Sequence, residues 1–109
     1  MNDMAKPPAL FVLPKPLTEK IVTRYFGTVT LSAAPPADIE RIIGGASKAK
    51  DTDAPYRELV ALCAVGEHGE RFTADMLARL PGQCYLDWLD LRGAAVRVCG
   101  LNREEVAKN

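Results

Sequence analysis

The chain has 109 residues, 48% of them hydrophobic and 26% charged, and fourteen Lys and Arg balance fourteen Asp and Glu. That length holds one domain with a modest core and argues against two, and the composition lies well away from that of disordered chains. With no net charge there is no global field to draw in nucleic acid or an anionic bilayer.

Local clusters do not change this, because Lys48 and Lys50 are followed at once by Asp51 and Asp53 with no aromatic residue between them to stack on a base. The three cysteines, Cys63, Cys84 and Cys99, form no CxxC pair and are odd in number, which argues against a disulfide framework or a zinc ribbon and fits a reducing cytoplasm. No apolar run reaches the roughly 20 residues of a membrane span. The brief run Ala9-Leu10-Phe11-Val12-Leu13 is closed by Pro14 and lacks a cleavage pattern, so the protein is expected to stay where it is made.

Along the chain, Pro7, Pro8, Pro14 and Pro16 block helix and keep the first segment extended, so residues 1–18 read as an arm. Residues 19–109 read as a single domain. From Lys20 to Ser32 the β-branched and aromatic residues, with Thr28-Val29-Thr30-Leu31 alternating about Gly27, predict a strand pair or bent strand. Gly27 is the natural bend, since it tolerates positive φ. Pro35, Pro36 and Asp38 then open a short helix with Ile39, Ile42 and Ile43 at helical spacing, and Gly44-Gly45 ends it. The small polar residues that follow predict a flexible loop over about 44–54.

A second helix is expected from a cap at Thr52 or Asp53, with Pro55 in its first turn, running through Val65. A third begins at Thr73, a good N-cap, with Asp75 favoured by the dipole; it turns Met76, Leu77 and Leu80 inward and stops at Pro81. The fourth and longest, residues 83–100, is expected to bury a stripe of Leu86, Leu89, Gly93 and Val96 flanked by Tyr85, Trp88, Ala95 and Cys99, and to stop at Gly100. Asn102 and Glu105 have capping-box character for a last turn over residues 103–107. The fold class expected is therefore α+β, mainly helical, with an N-terminal strand pair packed on three to four helices.

The one histidine, His68, lies in Gly66-Glu67-His68-Gly69-Glu70-Arg71-Phe72-Thr73. A zinc site needs three or four converging ligands and acid/base work needs held geometry. Two glycines around the histidine instead suit a wet turn between the second and third helices, and that reading is preferred. Cys63 and Cys99 fall on apolar helix faces and read as core. Cys84, at the start of the long helix, has only His68 in the chain as a histidine partner, which makes a cysteine hydrolase weak. Asp87 and Asp90, followed by Arg92 and Arg97, read as a solvated charged face. No phosphate loop, dinucleotide fingerprint, nucleophile elbow or zinc-protease motif is present, so no catalytic, metal or cofactor site is expected. What remains is apolar surface, with Tyr85, Trp88 and Leu89 as the candidate partner-binding residues, aromatics beside a helix stripe being enriched at interfaces.

Several pieces taken in order resemble the tail assembly chaperones of long-tailed bacteriophages. They are the strand Phe26-Gly27-Thr28-Val29-Thr30-Leu31 leading into Ala33-Ala34-Pro35-Pro36-Ala37-Asp38-Ile39-Glu40; the helix Leu59-Val60-Ala61-Leu62-Cys63-Ala64-Val65; the turn 66–73 ending in Phe-Thr; and the ending Gly100-Leu101-Asn102-Arg103-Glu104-Glu105-Val106-Ala107-Lys108-Asn109. The similarity spans residues 20–109; His68 stands where that family usually has an acidic residue, and the Pro-rich arm is longer. The resemblance implies a non-enzymatic protein of the bacterial host cytoplasm that binds and solubilises the tape measure protein and recruits tail tube protein, as a possible homo-oligomer. In that family a longer product often arises by frameshifting near the end of the frame, and Ala107-Lys108-Asn109 can be encoded with a slippery heptamer. A head-tail connector or other minor virion protein is the alternative within the same biology. A small metal-dependent enzyme using His68 is the rival from another class.

Overall fold

The computed structural model describes residues 7–44 and 51–101. Eight elements follow in order: β1 (Thr18–Val22), β2 (Thr28–Ser32), α1 (Pro36–Gly44), α2 (Ala54–Cys63), β3 (Ala64–Gly66), α3 (Ala74–Ala78), a 3₁₀ turn (Gly82–Cys84) and α4 (Tyr85–Val98). The fold is α+β, a three-stranded antiparallel sheet in the order β1-β2-β3 packed against helices.

The expected hairpin forms, with Ile21 opposite Val29 and Val22 opposite Thr28. Its turn is built around Gly27 at φ 69°. Thr23 closes it, donating from both N (2.9 Å) and Oγ1 (2.7 Å) to the Gly27 carbonyl and accepting from Phe26 N on Oγ1 at 2.9 Å. β2 is the central strand, and its alternation sends Val29 and Leu31 into the core, both essentially inaccessible. Their burial needs a second partner strand, which β3 provides through the pairs Val29 with Gly66 and Leu31 with Ala64.

That third strand corrects the sequence reading, which carried the second helix through Val65. α2 ends at Cys63; Ala64 is already extended (φ −91°, ψ 134°) and its N–H closes the last helical turn on the Val60 carbonyl. Local hydrophobicity is uniform across this boundary, so periodicity could not locate it, and the open edge of β2 decides it. The turn at 66–73 accordingly joins a strand to a helix rather than two helices.

α2 and α4 pack on each other and on the sheet, and the core is Val29, Leu31, Leu59, Val60, Cys63, Leu91, Ala94, Ala95 and Val98 with Ile42 and Leu77 at its margins. α1 buries Ile42 with Ile39 and Ile43 beside it, as its spacing predicts. Asp53 occupies the cap position of α2 without a side-chain capping bond, and Pro55 sits in the first turn as expected. The Asp53 carboxylate instead accepts from Arg92 Nη1 at 3.2 Å, tying α2 to α4. Thr73 caps α3, its Oγ1 accepting from Met76 N at 3.1 Å. Of the residues expected inward on α3, Leu77 is buried and Leu80 packs on the core margin, whereas Met76 is exposed. α4 stops in a Schellman arrangement with Gly100 at φ 68°, Gly100 N donating to Arg97 O (3.1 Å) and Leu101 N to Val96 O (3.0 Å).

The buried face of α4 is a second correction. Asp87, Leu91, Ala94, Ala95 and Val98 face inward, while Leu86 points to solvent and Leu89, Gly93 and Val96 are only half-buried. Two alanines and an aspartate carry little hydrophobic signal, yet their small size lets the helix lie close to the sheet and to α2.

Residues 7–17 have no regular secondary structure and are exposed, and β1 starts at Thr18, the last residue of the predicted arm. Residues 1–6, most of the predicted loop (45–50) and the predicted last turn (103–107) lie outside the described residues. No helix among the described residues is long and apolar enough to cross a membrane.

Candidate functional site

The histidine turn is ordered by its own backbone. Gly66 N donates to Glu70 O at 2.9 Å, Gly69 N to Gly66 O at 3.1 Å, and Gly69 adopts φ 83°, which suits glycine. Glu70 folds back so that Oε1 accepts from His68 N at 2.7 Å, and backbone N–H donors, its own first and that of His68 next, hold its carboxyl below the usual carboxylate range. His68 Nδ1 stands 3.6 Å from Glu70 Oε2, with both side chains well exposed. Arg71 is fixed outside the turn, its Nη2 donating to the Leu62 carbonyl at 2.8 Å and the Ala61 carbonyl at 3.3 Å, at the negative end of α2. Phe72 meets Phe26 edge to face at 5.1 Å between centroids, which anchors the turn to the hairpin.

The hairpin and the turn together enclose an open cleft of about 440 Å³ whose lining includes Tyr25, Phe26, Glu67, His68, Glu70, Arg71, Phe72 and Met76. Glu67 leans over the hairpin bend, its Oε2 3.0 Å from where a Cβ on Gly27 would stand. Aromatic rings, two carboxylates and the basic side chains of His68 and Arg71 therefore share one concave surface, with Tyr25 and Met76 exposed.

The cysteines fall elsewhere. Cys63 Sγ lies 3.8 Å from Cys99 Sγ, with Cys63 buried in the core; burial first, then the neighbouring Cys99, push the Cys63 thiol up to about 12. This is the inert end of thiol behaviour. Cys84 is buried beside a small apolar cleft of about 130 Å³ lined by Leu77, Leu80, Pro81, Tyr85 and Trp88, and His68 lines the other cleft. Among the described residues no group of three or more His, Cys, Asp or Glu side chains gathers in a metal-holding arrangement.

Asp87 departs most from the sequence reading. It is 5% exposed, and its two oxygens each accept a backbone N–H of the hairpin turn, Oδ1 from Arg24 and Oδ2 from Tyr25, both at 2.9 Å. It is a structural clamp between α4 and the hairpin, not part of a solvated face. Asp90 is exposed, and Arg97 reaches back to β1, where Nε donates to Glu19 Oε1 at 2.9 Å.

Of the predicted partner-binding residues, Tyr85 is 60% exposed, Trp88 is half-buried against the core, and Leu89, one turn beyond Tyr85, is also half-buried. Tyr85 and Trp88 meet in the small cleft with Leu77 and Leu80. On the other side of Tyr85, Leu86 (68% exposed) and Val22 (82%) line a second groove that they share with the polar residues Thr23, Arg24, Gln83, Asp87 and Asp90. Leu86 was expected inside, and its exposure was missed because the α4 face was misplaced. No family model, curated protein or solved structure matches the chain.

Proposed function

We propose that the protein is a tail assembly chaperone of a long-tailed phage or prophage, working in the bacterial cytoplasm. It binds the tape measure protein, keeps it soluble and helps to recruit tail tube subunits. The observation that carries this reading is the short apolar strip of Tyr85, Trp88, Leu80 and Leu77 where α3 meets the start of α4, with Tyr85 and its neighbour Leu86 largely exposed. A strip of this kind suits the apolar face of an amphipathic helix laid into a groove, with anchors at helical spacing. Each large apolar side chain buried there contributes about 1.5–3 kcal/mol before the cost of ordering the partner. Several such weak contacts repeated along one long helical partner hold it by avidity. The order of motifs from the hairpin to the Gly66–Thr73 turn supports the same reading.

The test is co-purification of the tagged full chain with the tape measure protein encoded beside it, together with mass spectrometry of purified particles. The chaperone reading expects the complex and no copies in the particle. Stoichiometric presence in the particle would contradict it and make the chain a connector or minor virion protein.

A further inference from the structure

The chain holds three thiols, and two of them touch. Cys63 Sγ lies 3.8 Å from Cys99 Sγ, whereas Cys84 is buried in the separate apolar cleft of Leu77, Leu80 and Trp88. The contact joins residues 36 positions apart in the sequence. A disulfide bond is about 2.0 Å long, so the two sulfurs have to approach by about 1.8 Å to form one.

Both cysteines sit at helix ends, where that approach bends no helix interior. Cys63 is the last residue of α2, with the extended Ala64 after it, and Cys99 is the C-cap of α4, followed by Gly100 at φ 68°. The pair is asymmetric. Cys63 is 4% exposed, and burial, reinforced by the neighbouring sulfur, disfavours its thiolate more than the Ala34 N–H and the Arg71 guanidinium favour it. Cys99 is only half-buried. A small oxidant therefore meets Cys99 first, with Cys63 behind it and already in contact.

We infer that Cys63 and Cys99 form a two-electron redox site that a hydroperoxide closes into a disulfide, stapling the end of α2 to the end of α4. With hydrogen peroxide, the Cys99 thiolate attacks one peroxide oxygen and the O–O bond breaks. The hydroxide released takes up the proton that the thiol gave up and becomes water, leaving a sulfenic acid on Cys99. Cys63 Sγ then attacks the Cys99 sulfur, the S–O bond breaks, and the departing hydroxide carries the Cys63 proton away as a second water. Two thiols have lost two electrons and two protons, and one peroxide has become two waters. The staple encloses β3, α3 and α4 in a covalent loop, which stabilises the fold chiefly by restricting the unfolded chain. In a reducing compartment the pair rests as thiols. Tyr85 stands at the other end of α4, about 21 Å away along the helix, so the site does not depend on the chaperone reading.

The test is a count of free thiols in the unfolded full chain before and after the folded protein meets hydrogen peroxide. Wild type goes from three thiols to one and loses the mass of two hydrogens. Mapping joins the Cys63 and Cys99 peptides, and a dithiol reductant restores all three thiols. The oxidised protein melts about 5 °C or more above the reduced one. Cys84→Ser closes in the same way. In Cys63→Ala the sulfenic acid on Cys99 has no partner and is trapped by dimedone, whereas in Cys99→Ser the buried Cys63 keeps its thiol under the same peroxide. Wild type that retains three thiols under a dose that oxidises free cysteine, a bond through Cys84 instead, or an oxidised form that melts no higher than the reduced one would each overturn the inference.

Discussion

Asp87 and Glu70 do the same local chemistry in opposite settings. Each carboxylate accepts backbone N–H groups of a turn: Asp87 those of Arg24 and Tyr25, more than sixty residues away in sequence, and Glu70 that of His68, two residues away. Asp87 is buried and joins α4 to the hairpin, whereas Glu70 is exposed and shapes only its own loop. A buried, long-range acceptor is committed to the fold, because leaving its donors unpaired costs their full desolvation. An exposed, local one leaves its outer face available to a second molecule.

The strongest way to break this contrast is Asp87→Ala. It removes both charge-assisted bonds to the Arg24 and Tyr25 N–H groups and is expected to cost about 3 kcal/mol, a fall in Tm of more than about 10 °C for a domain of this size, read by thermal or urea denaturation. Asp87→Asn should cost less, since its amide keeps one acceptor. Cys63 extends the buried side of the comparison. Its thiol is raised from 9.0 to about 12, so the folded state favours the protonated form. That stability is fully present below about pH 9 and is lost as pH rises from there toward 12, because the unfolded thiol ionises first. A denaturation series over that range should show it, and Cys63→Ala should flatten the slope.

A smaller effect is expected at the α3 cap. Thr73→Ala removes the bond from Met76 N and should cost about 1 kcal/mol by urea denaturation. Smallest of all is Glu70→Gln, which should leave the urea midpoint unchanged, because the carboxylate is exposed and its bonds are local. A loss comparable to that of Asp87→Ala would erase the distinction between the two acids.

The same contrast explains what could be read from the sequence. The bend at Gly27, the isoleucine face of α1, the Thr73 cap and the Gly100 stop rest on local rules, and each is found where those rules put it. The end of α2 and the buried face of α4 depend on distant partners. Val65 becomes a strand residue because β2 has an open edge, and Asp87 is buried because a hairpin turn more than sixty residues earlier supplies its donors. The apolar surface at Tyr85 was legible as an aromatic beside a helix stripe, although Leu86 was placed on the wrong side of it. The ring-lined cleft was not legible, because residues near 25 and near 70 form it only after the sheet has paired.

The central claim is that the strip through Tyr85 and Leu86 shields a long helical partner. The most direct measurement is the fraction of tape measure protein that stays soluble when it is expressed with this chain. Wild type should keep most of it in the supernatant, and Tyr85→Asp/Leu86→Asp, at exposed positions that leave the fold intact, should return it to the pellet. A soluble fraction that does not change when wild type is added would contradict the account.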